Sequence, residues 1–235
     1  MKKNLSDSVV KDSSRKLKIV PESVSYSDEE IRDKLLKLDK TCCIVKNGDS
    51  IGVCLKEDAD KSISGLSMSL LAKALPLKTT QLGDPEFIKF HGLKMAYMTG
   101  SMANGIASEN LVISSGKFGL LSSFGAAGLL PSIIEQAINN IQKALPEGPY
   151  AFNLIHSPSE DAIEKAAVDL YLKYRVRTVE ASAFLGLTPN IVRYRVAGLR
   201  RNSQNQVEIT NRVIAKISRV EVASKFMAPA PEIIL

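Results

Sequence analysis

The sequence predicts an α/β fold, with parallel strands joined by helical crossovers behind a small α+β N-terminal subdomain. Three observations carry this expectation. From about residue 94, short apolar runs alternate with amphipathic stretches, the pattern of repeated strand–turn–helix units. The stretch before it has a different character, a charged helix followed by a hairpin. The apolar runs also end in small or polar residues, as strands do where they present loops to a ligand.

Residues 1–28 are polar, rich in Ser, Lys and Asp, and read as a flexible arm. The segment "SDEEIRDKLLKLD" (27–39) reads as a helix capped by Ser27, with acids in its first turn and an apolar stripe of Ile31, Leu35, Leu36 and Leu38. "TCCIVKNGDSIGVCL" (41–55) reads as a hairpin around Asn47-Gly48. Together with a connector at 75–92, punctuated by Pro76, Gly83 and Pro85, these make a subdomain over 29–92. The remaining residues, 93–235, form the second domain.

Five buried runs supply its strands: 94–100, 118–125, 150–155, 177–184 and 212–218. "ASENLVISSGK" (107–117) is the first crossover helix. "LPSIIEQAINNIQKAL" (130–145) is the second, with Pro131 in its first turn and Ile133, Ile134, Ala137, Ile138, Ile141 and Leu145 on one face. "SPSEDAIEKAAVDLYLKY" (157–174) opens on an expected capping box of Ser157 and Glu160. Residues 191–211 read as an inserted hairpin or long loop.

Composition narrows the function classes. Hydrophobic residues make up 45% and charged residues 24%, values of an ordinary globular protein. No run approaches the roughly 18 apolar residues of a membrane span, and the N-terminus lacks a secretory core, so a cytoplasmic location is expected. Cys42, Cys43 and Cys54 lack metal-ligand spacing with His91 and His156 and read as reduced structural thiols, with no metal expected. The net charge of +6 is spread out, with clusters at 173–177 and 193–201. Without a nucleic-acid-binding motif, these clusters read as a solvated face or as an attraction for an acidic partner or phosphorylated ligand, and no nucleic acid is expected.

"GSMANGIAS" (100–108), "FGAAGL" (124–129), "NLIHSP" (153–158), "VEASAF" (179–184), "AKISR" (215–219) with "EVA" (221–223), and "FMAPAP" (226–231) come in an order that resembles the trans-acting enoyl reductases of bacterial polyketide and polyunsaturated fatty acid synthases. These belong to the flavin-dependent nitronate monooxygenase-like superfamily. The resemblance implies a partial TIM (β/α)8 barrel, about five of eight strands, with FMN across its mouth and NADPH as hydride donor. It places Ser101, Met102, Ala103, Asn104, Gly125, Asn153, Glu180 and Lys216 at the cofactor. Ala103 and Asn104 would lie beside the ring and Asn153 at its pyrimidine edge, with Lys216 near N1 and O2. On residue chemistry alone, Asn153 reads equally as a loop-ordering amide, and Lys216 as a lysine reaching solvent. Glu180 on a buried strand needs a partner, with Lys216 and Arg195 as the candidates. His156 is the candidate proton donor, with the ordering of a helix start as its other reading.

The implied reaction reduces an α,β-unsaturated acyl group on acyl carrier protein, with Arg193, Arg195, Arg200 and Arg201 attracting the acidic carrier. A synthase or acyltransferase partner is implied as well. A nitronate monooxygenase and a non-catalytic remnant that docks to a synthase are the competing readings. A closed barrel takes ~250 residues, more than follow residue 92. The family's Gly-Gly-His strand and phosphate-binding glycine loops do not occur in the sequence. The chain is therefore expected to be a truncated product, a fragment or half of a split protein, which alone binds FMN poorly and reduces nothing.

Overall fold

The computed structural model describes residues 9–11, 16–60 and 65–234 and divides the chain into two units, Met1–Leu82 and Gly83–Leu235.

The first unit is an antiparallel sheet with helices. Its elements are β1 (Val9–Lys11), β2 (Lys16–Ile19), α1 (Asp28–Leu35), β3 (Cys42–Asn47), β4 (Ser50–Leu55), α2 (Lys56–Asp60) and β5 (Leu66–Ala74). The strand order is β1-β5-β3-β4, with β2 also on β5. The hairpin forms as expected, with Gly48 at positive φ in its turn, and Ser27 caps α1 by accepting from the Glu30 N–H. The expected arm is corrected over residues 9–11, which pair with β5, and over 16–28. Ile19 and Val24 join Cys43, Val45, Cys54, Met68 and Leu70 in the core, while β2 pairs with β5 and Ser25 bridges Val53. These apolar residues, spaced between polar ones, supply the burial that an arm lacks. Residues 1–8 and 12–15 of that expectation lie outside the described residues. The nine-residue β5, which the sequence reading did not separate, is the central strand of the sheet. All three cysteines are buried and remain thiols. Burial raises the Cys42 thiol, and a hydrogen bond with Cys43, reinforced by burial, raises that of Cys54.

The second unit starts within the expected connector, so the division falls at 82/83 rather than 92/93. Asp84 accepts from the Glu86 N–H, Pro85 occupies the first turn, and α3 (Pro85–His91) follows. Phe87 and Ile88 of this helix pack with Leu93, Leu121 and Ala151, which ties α3 to the second unit. Then come β6 (Met98–Thr99), α4 (Glu109–Phe118), β7 (Leu121–Phe124), α5 (Pro131–Ala144), β8 (Ala151–Ile155), α6 (Asp161–Lys173), β9 (Thr178–Ser182), α7 (Pro189–Val196), β10 (Leu199–Arg201), β11 (Val207–Ile209), β12 (Arg212–Ala215) and α8 (Val220–Met227).

The five expected strands form one parallel sheet in the order β6-β7-β8-β9-β12, part of a TIM barrel. The expected insertion is a helix, α7, followed by the β10–β11 hairpin. Thr188 accepts from the Ile191 N–H, and Ile191, Val192 and Tyr194 bury one face of that helix. The capping box at 157–160 does not form. Ser157 Oγ meets the Glu160 carboxylate at 3.4 Å, and α6 begins only at Asp161. Among the described residues no helix is long and apolar enough to cross a membrane.

Strand alternation gives the sheet two chemically different faces. Phe124, Phe152, Leu154, Val179 and Ala181 meet the helices in the main core. Leu121, Ala151, Met98 and Ile214 occupy the opposite face near α3. Two-residue steps along the same strands place Ser123, Asn153, Thr178, Glu180, Ser182 and Arg212 on that second face. It is unusually polar for the inside of a fold.

Candidate functional site

The site is built from the ends of four strands on this polar face. Glu180 in β9 is 1% exposed, and burying a carboxylate demands partners. Its Oε2 accepts the Ser101 backbone N–H at 2.8 Å, and its Oε1 lies 3.3 Å from Lys216 Nζ. Ser101 follows β6, with β7 and β8 between it and β9. In a flat sheet three strand spacings come to about 14 Å, so one hydrogen bond over that separation requires the sheet to curl. Lys216 continues the β12 ladder by donating its N–H to Ala181 O, and its side chain remains 50% exposed. Of the two partners expected for Glu180, it is therefore Lys216 that pairs. Arg195 donates to Asn211 O instead.

Gly100 lies beside this pair. A Cβ there would stand 3.4 Å from Glu180 Oε1 and 3.9 Å from Lys216 Nζ, in ordinary van der Waals contact, so the Gly100 backbone packs directly beside the ion pair. Asn153 on β8 donates its amide N–H bonds to Glu180 O (3.1 Å) and Ser182 Oγ (2.9 Å). These fix the amide orientation and leave Oδ1 as its available acceptor.

The loops after β6 and β7 interlock. Asn104 N–H donates to Ala127 O, Gly105 N–H to Gly125 O and Gly125 N–H to Ala107 O, at 2.8, 2.9 and 3.0 Å. A Cβ on Gly125 would come within 1.6 Å of Met102 O, so only glycine fits. The close approach at Gly125 is thus to the neighbouring loop. Met102, Ala103 and Asn104 are exposed, and Asn104 has a positive φ of 55°.

Comparison with known proteins bears on this arrangement. The fatty acid synthase subunit PfaD N-terminal domain matches residues 20–70. A polyunsaturated fatty acid synthase subunit of Thraustochytrium sp. is 52% identical over 90% of the chain, and the polyketide biosynthesis protein PksE of Bacillus subtilis is 45% identical over 64%. The chain spans 14% and 20% of those two proteins. The solved enoyl reductase domain of MlnA, from the macrolactin biosynthesis cluster of Bacillus amyloliquefaciens, is 40% identical with a TM-score of 0.64, covering 67% of this chain and 36% of that one. The chain is a relative of the MlnA enoyl reductase domain and of these polyketide and polyunsaturated fatty acid synthase proteins.

In this enoyl reductase relative, His156 is built into the scaffold. Its Nδ1 is 2.8 Å from Glu164 Oε2, its ring stacks on Phe184 at 5.3 Å, and its N–H donates to Ser182 O. The other oxygen of Glu164 accepts the Thr188 hydroxyl, which also caps α7. His156 follows Ile155 by one position, so it faces the helices rather than the polar face. Of its two readings, the arrangement favours local ordering. Sequence reasoning missed Glu164, although its spacing to the buried Val168 and Tyr171 on one helical face was a usable signal.

The arginines expected to attract a carrier are engaged locally in this relative of the enoyl reductases. Arg193 pairs with Asp169, Arg200 with Glu208, and Arg201 donates to Asn205. An apolar cavity of about 380 Å³ opens beside Asn153, lined by residues 126–131 and by Ile134, Ile155, Ile163 and Leu170.

Proposed function

We propose that this chain forms the ring end of the flavin site in an FMN-dependent enoyl reductase that acts in trans on α,β-unsaturated acyl groups carried by acyl carrier protein, in polyketide or polyunsaturated fatty acid biosynthesis. One observation carries the reading. Glu180 holds both Lys216 Nζ and the Ser101 N–H beside the Gly100 backbone, at the ends of the parallel strands.

The residues fit a flat, electron-accepting ring. Asn153 Oδ1 suits an imide N–H, and Lys216 is a cation suited to negative charge at the pyrimidine end. Exposed Ala103 and Asn104 offer small side chains for close approach. When bound, FMN would supply the hydride chemistry, accepting from NADPH and delivering to the β-carbon of the enoyl group. The protein's own contribution is orientation. Glu180 fixes the cation, the interlocked loops fix Met102–Asn104, and the cavity of about 380 Å³ beside Asn153 suits an acyl chain.

The test is NADPH oxidation with a crotonyl thioester by flavin-loaded protein in which the chain is extended through the rest of the barrel, with the flavin followed by visible absorbance after gel filtration. Turnover that falls in Lys216→Met is the expected result. No turnover from a protein that retains flavin would count against it.

A further inference from the structure

At the end of the sheet opposite Lys216, a cavity of about 220 Å³ is lined by α3, the loop before β8 and the starts of β9 and β12. Three cations border it, Lys89, Arg177 and Arg212, against one acid, Glu147. None of the four belongs to an ion pair among the described residues. The backbone bond from Arg212 N–H to Arg177 O, at 2.8 Å, sets the two arginines side by side.

Two nitrogens here lack partners. His91 is 8% exposed, and its buried Nδ1 has no hydrogen bond. Arg212 Nε is likewise buried and unpartnered, while its guanidinium lies over the Phe90 ring at 4.5 Å from the centroid. Buried polar groups are nearly always satisfied, so a pair of orphans on one cavity calls for an occupant. Both nitrogens are sealed from solvent, and the like charges of Arg177 and Arg212 on the cavity wall have no acidic partner among the described residues. An oxyanion compensates those charges, since guanidinium donors match phosphate and carboxylate oxygens. The cavity has room for several waters at about 30 Å³ each, hence for an anionic group with a few further atoms.

We infer that this cavity, bounded by His91, Arg177 and Arg212, binds the phosphate or carboxylate group of a small molecule. The site lies away from the Glu180–Lys216 pair and does not rest on the flavin reading.

His91 and His156 are the only histidines in the sequence, so nitrogen NMR of the imidazoles provides a probe and an internal reference. The chain is titrated with inorganic phosphate and separately with succinate, at constant ionic strength held with chloride. The expected result is a saturable shift of the His91 Nδ1 signal with at least one anion while His156 stays still. A response to phosphate alone or to succinate alone identifies the oxyanion. Arg212→Gln should weaken binding by roughly ten- to a hundredfold. The exposed Arg177→Gln, which threatens folding less, should weaken it several-fold. If His91 fails to move with either anion, or moves together with His156, or responds unchanged in Arg177→Gln, the inference is overturned.

Discussion

The carboxylate of Glu180 accepts the Ser101 backbone N–H at 2.8 Å, although two whole strands separate β9 from β6. It is a side-chain clasp over the curled face, with Lys216 as its second partner. Glu180→Ala strands the Ser101 N–H and should cost about 2–3 kcal/mol. Glu180→Gln keeps an acceptor for Ser101 and loses only the attraction to the half-exposed Lys216, which water re-solvates, so about 1 kcal/mol is expected. Denaturant unfolding of both variants checks this. Equal losses would show that the clasp to Ser101 contributes nothing.

Gly125→Ala tests the interlocked loops. The added methyl meets the Met102 carbonyl, which no side-chain rotation can relieve, because the obstacle is backbone. A loss of roughly 2–4 kcal/mol is expected. Faster hydrogen exchange at the Asn104, Gly105 and Gly125 amides should accompany it. Unchanged exchange in a folded alanine variant would contradict the loop geometry.

The parallel sheet was legible because each strand is a short apolar run ended by Gly, Asn, Glu or Lys, and local pattern suffices for that. The site was legible as strand ends, but not the direction of its contacts. That Gly125 faces Met102, or that His156 turns to Glu164, depends on loop packing between segments distant in sequence. Strand β5 escaped because Ser67 and Ser69 interrupt its apolar residues, and it is stabilised by pairing on both edges. Helix α7 escaped because Arg193 and Arg195 alternate with apolar residues and mask the helical period, while Ile191, Val192 and Tyr194 mark the buried face.

The His156–Glu164 contact predicts a structural phenotype. Glu164 is buried and serves both His156 and Thr188, so Glu164→Leu should destabilise by about 2–3 kcal/mol through two lost partners. His156→Gln should cost less and, in a chain extended through the rest of the barrel, leave flavin loading and turnover unchanged once folding is accounted for. A folded, flavin-loaded His156→Gln protein with its turnover lost would return His156 to the chemistry.

His91 predicts how stability depends on pH. Burial, and secondarily the nearby Arg212, lowers its pKa to about 4, against about 6.5 in an unfolded chain. Arg177 and Lys89 line the same cavity, so the charges facing the imidazole are predominantly cationic. Above pH 6.5 the imidazole is neutral in both states, and its full contribution to stability is present. As pH falls from 6.5 towards 4, the unfolded chain takes up a proton that the folded one refuses, and the unfolding free energy drops by about 3 kcal/mol over that window. Glu135, held low chiefly by a hydrogen bond from Lys173, and Asp169, held low chiefly by Lys165, lose their contributions at still lower pH. Those losses occur equally in His91→Asn, so they cancel when the two stability curves are subtracted. The difference between wild type and His91→Asn should therefore slope between pH 6.5 and 4 and flatten above. A difference curve level throughout would mean that the imidazole charges freely in the folded protein, which its burial beside Arg212 opposes.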